Sequence, residues 1–194
     1  MRYENTVTLT SGQRLLIRSA GAKDAAGVLE NFLKTHGETD YLLTYPEEST
    51  MTVAEEARFL GKLEQDDRSA ELVAELDGRI VGTAGISPVH SCAKMRHRAD
   101  CGVSVEKAYW RLGIGQALMK ACLECAARAG FLQMELQVVG ENTAAIALYE
   151  KLGFRECGRN PWGFRTKEGR WQELVSMRKP LTTEPVENER TELP

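Results

Sequence analysis

A strand, a short loop and a helix that begins at two glycines constrain the fold of this chain more than any other feature. The segment 99–105 has the composition of a strand, and Gly113-Ile114-Gly115 follows it after a short loop. From Ile114, apolar residues recur at helical spacing, and Gly130 ends the helix. Glycines let the backbone turn tightly, and the first amides of a helix lack intrahelical acceptors. The segment therefore predicts an anion site that suits a pyrophosphate.

Two common phosphate-binding motifs do not fit this turn. A P-loop requires Gly-Lys-Ser/Thr, whereas Gly115 is followed by Gln116 and Ala117. A dinucleotide fingerprint requires a third glycine where Leu118 stands, although Glu135 lies near the spacing of its ribose-binding acid. The seven-residue loop before the first glycine is also wrong for that fold. The pyrophosphate loop of an acyl-CoA enzyme is the third interpretation.

The other elements indicate a mixed sheet. Ser11-Gly12 and Asp77-Gly78 are two-residue turn signals, and each predicts a hairpin of antiparallel strands. Further helices are predicted at 25–36, 52–65 and 142–152, and further strands at 132–139, 154–157 and 171–177. We therefore predict an α/β (α+β) fold, with a mixed, mostly antiparallel sheet and helices on both faces.

Length and composition predict one domain, residues 1–179, followed by an acidic tail, 180–194. The tail holds three prolines, four glutamates and no aromatic residue, and is predicted to be disordered. A formal net charge of -3, with lysine and arginine spread along the chain, does not favour a nucleic-acid partner. The chain has no apolar run of membrane-spanning length and no apolar core of a secretion signal at its start, so we predict a cytoplasmic location.

The five cysteines do not have the spacing of a metal or disulfide site. Cys122 and Cys125 form a CxxC, but no second pair follows, and the three histidines are scattered. We interpret these two cysteines as buried thiols on the inner face of the long helix, and we expect no metal.

Two motifs, taken together, resemble the GNAT superfamily of acetyl-CoA-dependent N-acetyltransferases. The strand at 103–105 with Gly113-Ile114-Gly115 is similar to the central acetyl-CoA motif of that superfamily, and the segment Asn142-Thr-Ala-Ala-Ile-Ala-Leu-Tyr-Glu-Lys-Leu-Gly-Phe154 is similar to its second motif. The resemblance covers roughly residues 13–178 and implies the fold predicted above. It implies that acetyl-CoA contacts Val103, Ser104, Val105, Arg111, Leu112, Gly113, Ile114, Gly115, Gln116, Asn142 and Tyr149. Many relatives have Arg or Gln where Trp110 stands, a change that backbone contacts to the phosphates should tolerate.

Acetyl transfer from a thioester to an amine requires a neutral amine, a donor for the oxyanion and a proton for the departing thiolate. The resemblance implies that Tyr149 supplies the proton. It also implies that a backbone N–H of 103–105 supplies the donor, from a strand that splays away from its neighbour and leaves main-chain groups free.

The general base has several candidates. Asp100 lies near a strand position where other relatives place a carboxylate, and we take it as the candidate catalytic acid-base residue beside Tyr149. Gln137 stands where some relatives that acetylate protein N-termini have Glu. Glu106 and Glu135 are further candidates; each of these carboxylates is expected to be solvated at the surface, and a relayed water is equally compatible.

The resemblance implies that the acceptor meets two segments, 38–48 and 159–170. The first is acidic and tyrosine-bearing, which favours a cationic amine. The leading hypothesis is an N-acetyltransferase that acetylates a primary amine of a small molecule or peptide by direct attack in a ternary complex. A catalytically silent acyl-CoA sensor is the alternative, a purely structural or adaptor domain is the third hypothesis, and a homodimer is compatible with each.

Overall fold

The computed structural model describes residues 1–182. Strands and helices follow one another in this order: β1 (Glu4–Thr8), β2 (Arg14–Ser19), α1 (Ala25–Gly37), α2 (Val53–Leu63), β3 (Ala70–Leu76), β4 (Arg79–Pro88), β5 (Arg98–Val105), α3 (Ile114–Arg128), β6 (Gln133–Val139), α4 (Thr143–Lys151), β7 (Arg155–Arg165) and β8 (Trp171–Pro180). Short 3₁₀ turns lie at 22–24, 46–48 and 107–109.

The eight strands form a single sheet in the order β1-β2-β3-β4-β5-β6-β8-β7. Strands β5 and β6 run parallel, and every other neighbouring pair is antiparallel. Helix α3 covers one face, while α1 and α2 pack together on the other. The predicted mixed, mostly antiparallel sheet with helices on both faces is therefore confirmed.

Local sequence determines the ends of several elements. Asp77 and Gly78 both have positive φ, 50° and 79°, as the two-residue turn of a right-twisted hairpin requires. Helix α2 begins with a capping box: the Thr52 hydroxyl accepts a hydrogen bond from Glu55 N at 3.3 Å, and the Glu55 carboxylate accepts one from Thr52 N at 2.9 Å. Each of these boundaries is where the sequence predicts it.

Strand β7 is longer than predicted. The sequence predicts a strand at 154–157 and an acceptor-facing segment from 159, whereas β7 runs to Arg165 with register shifts on either side of 158–160. Pro161 lacks an N–H and suggests a break, but β7 is an edge strand, where a proline is tolerated. Gly163 allows the close approach to β8, because a Cβ there would lie 2.3 Å from Leu174 Cγ.

The first residues of the predicted tail, 180 and 181, contact the domain. Pro180 closes β8, and Leu181 N donates a hydrogen bond to the Leu132 carbonyl at 2.8 Å, next to the core. The remainder of the predicted tail, 183–194, lies outside the described residues, so its disorder stays a prediction.

Candidate active site

The sheet opens between β5 and β6. The two strands pair only through residues 98–100 and 133–135, although both continue for several residues beyond them. Past this point β5 stays paired with β4, including Val103 with Ala84. The main-chain groups of 103–105 that face β6 are therefore not used by that strand. This is the predicted splay, and an extended ligand with amide groups could pair there as an added strand.

Helix α3 begins at the open end of β5. Gly113, its N-cap, has φ 91°, and Arg111 just before it has φ 64°. The first intrahelical bond is donated by Ala117 N to Gly113 O, so the amides of residues 114–116 have no intrahelical acceptor. Free amides and the positive end of the helix dipole favour a negatively charged group at this point. These residues fit a pyrophosphate.

Trp110 has a role that the sequence did not indicate. Its indole N–H donates to the Val105 carbonyl at 2.7 Å, and Lys107 lies over its ring at 5.9 Å. Trp110 thereby ties the loop before α3 to the end of β5.

A cavity of about 1000 Å³ lies along the opening. Its walls come from β3, β4, β5, β6 and β8, from α4, and from the segment after α1. Predicted site residues that line it include Asp100, Val103, Ser104, Asn142 and Tyr149. The structure therefore brings the strand residues, the α4 residues and the candidate base together in one cavity, while residues 111–116 lie outside its lining at the start of α3.

Tyr149 lies in the cavity wall on the α3 side of the sheet. It is buried, and its ring packs against Phe154 with centroids 5.9 Å apart. Burial, with Cys101 and Cys122 nearby, raises the pKa of Tyr149 well above its ordinary value. The phenol therefore keeps its proton at neutral pH and can act as a donor.

Asn142 is the N-cap of α4. Its side-chain oxygen accepts a hydrogen bond from Ala145 N at 3.2 Å. Since the oxygen is engaged in the cap, the amide NH₂ is the group that can reach a ligand in the cavity.

Asp100 projects into the cavity from the opposite face to Tyr149. The protein around it removes part of its water, and this raises the pKa of Asp100 to about 6, with the charge of Glu135 contributing. Glu135 itself accepts hydrogen bonds from Arg98 at 2.7 Å and pairs with Arg178 at 3.5 Å. Asp100 thus keeps a carboxylate open to the cavity, whereas Glu135 is held by two arginines.

The expectation of solvated surface carboxylates is wrong for Glu135 and for Glu106. Glu135 is only 15% exposed and ion-paired. Glu106 is fully buried and accepts hydrogen bonds from Lys34 at 2.6 Å, Arg79 at 2.7 Å and Asn31 at 3.4 Å. Glu106 therefore ties α1 to the loop that leads into α3. Its partners are far away in sequence, so no local pattern could have revealed this.

The two segments expected to meet the acceptor lie against each other. The Tyr45 hydroxyl accepts a hydrogen bond from Lys167 N at 3.0 Å, the Lys167 ammonium lies 4.0 Å from the Tyr45 ring centroid, and it pairs with Glu47. Tyr41 and Phe164 line the cavity. Trp162, by contrast, is 72% exposed and does not line the cavity.

Glu71 is a cavity residue that sequence reasoning missed. It lies on β3 directly opposite Gly85 of β4. Loss of water around the carboxylate raises the pKa of Glu71 to about 7; the charge of Glu56 raises it further, and a hydrogen bond from Thr83 partly offsets the increase. Glu56, on α2, is buried, whereas Glu71 is partly exposed. The sequence pattern that could have indicated Glu71 is an acid within an apolar strand, placed opposite a glycine of the next strand in the hairpin.

Two further predictions concern buried thiols and metals. Cys122 and Cys125 are buried on the inner face of α3, as predicted. Within residues 1–182, no group of three or more metal-ligating side chains is close enough to hold an ion. In the same part of the chain, no helix has the length and apolarity to cross a membrane.

The chain is similar in sequence to two acetyltransferases and in structure to a third. Over 80 residues the chain is 34% identical to the [ribosomal protein bS18]-alanine N-acetyltransferase of Escherichia coli, covering 41% of this chain and 53% of that protein. Over 106 residues it is 30% identical to the L-methionine sulfoximine/L-methionine sulfone acetyltransferase of Salmonella typhimurium, covering 55% and 61%. The matches thus span about half the length of these relatives.

The crystal structure of an acetyltransferase of the GNAT family from Streptococcus pneumoniae superposes with a TM-score of 0.82 at 32% identity, covering 86% of this chain and 99% of that one. Residues 35–154, which include β5, the α3 turn and α4, match the Acetyltransferase (GNAT) family. The strand opening, the helix start and this match agree, and the chain belongs to the GNAT acetyltransferase family, whose members take an acyl group from acetyl-CoA.

Proposed function

We propose that this protein is an acetyl-CoA-dependent N-acetyltransferase that acetylates a primary amine by direct attack in a ternary complex. The observation that supports this most is the opening between β5 and β6, which leads from the free amides at the start of α3 into the large cavity. A purely structural sheet would pair β5 and β6 along their full length. The opening costs backbone hydrogen bonds, which a bound ligand can replace.

The chain offers acetyl-CoA a continuous series of contacts. The amides of residues 114–116, with Arg111 and Leu112 before them, would hold the pyrophosphate. The main-chain groups of 103–105 would pair with the amides of the pantetheine arm, and the Asn142 amide would steady it. Acetyl-CoA supplies the activated acetyl group, and these residues bring that group to the centre of the sheet.

Tyr149 and the backbone of β5 would assist the reaction from the α3 side. A backbone N–H of 103–105 can stabilise negative charge on the acetyl oxygen, because it is fixed in the strand before the reaction begins. Tyr149 can donate a proton to the departing thiolate, since the phenol is protonated at neutral pH.

Asp100 would face the acceptor. A carboxylate with a pKa of about 6 is mostly ionised at neutral pH, so it attracts an ammonium group into the cavity and can accept a proton. From the acidic segment at 38–48, only Tyr41, Leu42 and Leu43 line the cavity, so the preference for a cationic amine is argued from Asp100 rather than from the acids of that segment.

The relatives indicate two acceptor classes. One printed name specifies an alanine of a ribosomal protein and the other an amino-acid analogue. Both acceptors carry an amine, and a small molecule or a peptide is therefore the class we propose. A homodimer and a cytoplasmic location stay predictions.

Two measurements test the proposal. Acetyl-CoA and CoA at about 100 times the dissociation constant should stabilise the fold by about 2.7 kcal/mol, measured as a rise in melting temperature. A panel of small amines and short peptides, followed by thiol release, should then identify an acceptor. Binding without turnover of any amine would favour the silent acyl-CoA sensor, and absence of binding at millimolar concentration would refute both.

A further inference from the structure

Glu71 lies on the same face of the sheet as the acceptor side of the cavity. On β3, Ala70 and Leu72 belong to the core under α3, whereas Val73 packs with Leu60 of α2 on the other face. Since strand residues alternate between faces, Glu71 projects with Val73 towards α1 and α2. Asp100 projects to this face too, because Ala99 and Cys101 on either side of it belong to the core under α3.

Two glycines leave a slot between Glu71 and the opening in the sheet. Glu71 pairs with Gly85 on β4, and Gly85 pairs with Gly102 on β5, so the three residues form one row across three strands. A Cβ on Gly85 would lie 2.8 Å from Glu71 Oε2, which means that the carboxylate lies over this glycine. A Cβ on Gly102 would have no heavy atom within 4 Å, so the space beyond the carboxylate is open.

The slot ends at the reacting centre of the proposed function. Neighbouring strands are about 4.8 Å apart, so the carboxylate over Gly85 is roughly one strand spacing from Gly102. Pairing of β5 with β6 ends at Asp100, so Gly102 and the following Val103 both lie in the part of β5 that β6 leaves unpaired. Hydroxyl groups of Thr83 and Ser104, 3.3 Å apart, border the slot on one side.

The carboxylate of Glu71 has no cationic partner among residues 1–182. The other strand acid, Glu75, accepts hydrogen bonds from Arg18 at 2.8 Å and 3.1 Å. Glu71 has a hydrogen bond with the Thr83 hydroxyl, and the charge that acts on it is that of a second carboxylate, Glu56. An ionised carboxylate that is partly removed from water is unfavourable unless it meets a cation or a proton.

We propose that Glu71 is the catalytic residue that accepts the proton of the acceptor amine, which lies in the open space over Gly102, beside the carboxylate over Gly85. This inference rests on the proposed function and specifies its substrate as a primary amine that arrives as an ammonium ion. The ammonium gives one proton to the Glu71 carboxylate, which releases it to water through the cavity. The neutral nitrogen then bonds to the acetyl carbon as the bond from that carbon to sulfur breaks. Tyr149 gives its proton to the sulfur. The nitrogen loses its second proton as the amide forms, and this proton restores the phenol of Tyr149.

The pH profile of kcat/KM tests this role. With an amine found in the panel, the wild-type rate should fall about tenfold per pH unit below pH 7, where Glu71 becomes protonated. Glu71→Gln should lower the rate about 10²–10⁴-fold and remove this acid limb, while acetyl-CoA still binds. Glu71→Asp should keep the limb with a lower rate, and Gly85→Ala should lower the rate by displacing the carboxylate.

The matched control is Glu75→Gln. It removes one charge from the same strand, but its carboxylate is paired with Arg18 outside the cavity, so rate and acid limb should be unchanged. A readout independent of turnover is carboxyl ¹³C NMR of glutamate-labelled protein. One resonance, absent from Glu71→Gln, should titrate near pH 7 and shift when the amine is added.

The outcomes separate this inference from the proposed function. If the wild-type protein turns over the amine and Glu71→Gln keeps the acid limb, the role of Glu71 is overturned while the proposed function stands. An acid limb near pH 6 that disappears in Asp100→Asn instead assigns the base to Asp100. Absence of turnover by wild-type protein refutes the proposed function, and this inference with it.

Discussion

The Glu71→Gln variant also measures how unfavourable an ionised carboxylate is at the centre of the sheet. Burial raises the pKa of Glu71 to about 7 from the ordinary 4.5, so the folded protein binds this proton more tightly than the unfolded chain does. When folding raises the pKa of an acid, the free energy of unfolding is unaffected at pH values below the pKa in the unfolded chain. It falls as pH rises from that value to the pKa in the folded protein. The reduction therefore develops between about pH 4.5 and 7 and is complete above pH 8. Glutamine has no charge, so the variant does not undergo this loss of stability.

The expected size follows from the two pKa values. Each pKa unit corresponds to about 1.36 kcal/mol, so the full effect is about 3 kcal/mol. Water in the cavity reaches part of the side chain, and we therefore expect about 2 kcal/mol at pH 8.5. For a chain of this length, that corresponds to a rise in melting temperature of about 4–8 °C.

Urea unfolding of wild type and Glu71→Gln from pH 4 to pH 9 tests this prediction. The two proteins should have similar free energies of unfolding near pH 4, and the variant should become more stable as pH rises. Glu75→Gln provides the contrast, because it removes hydrogen bonds to Arg18 and should lower stability at neutral pH by up to about 1 kcal/mol. A difference between wild type and Glu71→Gln that does not change with pH would refute the reasoning.

Four further predictions follow from the site. Gly113→Asp and Gly113→Asn share the strain of a left-handed residue, but only the aspartate repels the pyrophosphate, so calorimetry should find acetyl-CoA binding on the order of tenfold weaker in the former than in the latter. Tyr149→Phe keeps the ring and should lower kcat about 10²–10⁴-fold with little change in acetyl-CoA affinity; wild-type turnover would assign the proton to another group. Removal of 183–194 should leave melting temperature and turnover nearly unchanged, and a fall of several degrees would contradict this. Glu106→Gln leaves Lys34 and Arg79 without their counter-charge and should cost about 1–3 kcal/mol in urea unfolding, with turnover of the folded fraction retained.

Much of the fold could be predicted because its signals are local. The Asp77-Gly78 turn and the glycines before α3 each act within a few residues, and the ends of β3, β4 and α3 lie where these signals predict them. Strand β7 was underestimated because Pro161 disrupts a local strand pattern, whereas its tolerance depends on β7 being an edge strand. Edge position is a property of the assembled sheet, which no single segment encodes.

The candidate site also has a part that local sequence predicts and a part that depends on contacts between distant residues. The family motifs lie in consecutive residues, so the cofactor-facing positions could be proposed from the sequence. The acceptor side depends on contacts such as that between Tyr45 and Lys167, and these residues are far apart in the sequence. Trp110 is intermediate, because its position was predicted while its hydrogen bond to Val105 required the loop geometry.

Glu71 shows why cross-strand register carries chemistry that linear spacing does not. Glu71 and Gly85 are joined by a predicted hairpin, so their pairing could have been deduced from the Asp77-Gly78 turn, allowing for the register shift at Ala74 and Glu75. The next step, from Gly85 to Gly102, crosses to β5 through a connection of irregular length, and nothing local fixes it. Only when both pairings are known do the two glycines become a continuous slot from an unpaired carboxylate to the opening in the sheet. A single alanine at Gly85 would preserve every motif in the sequence and still displace the carboxylate.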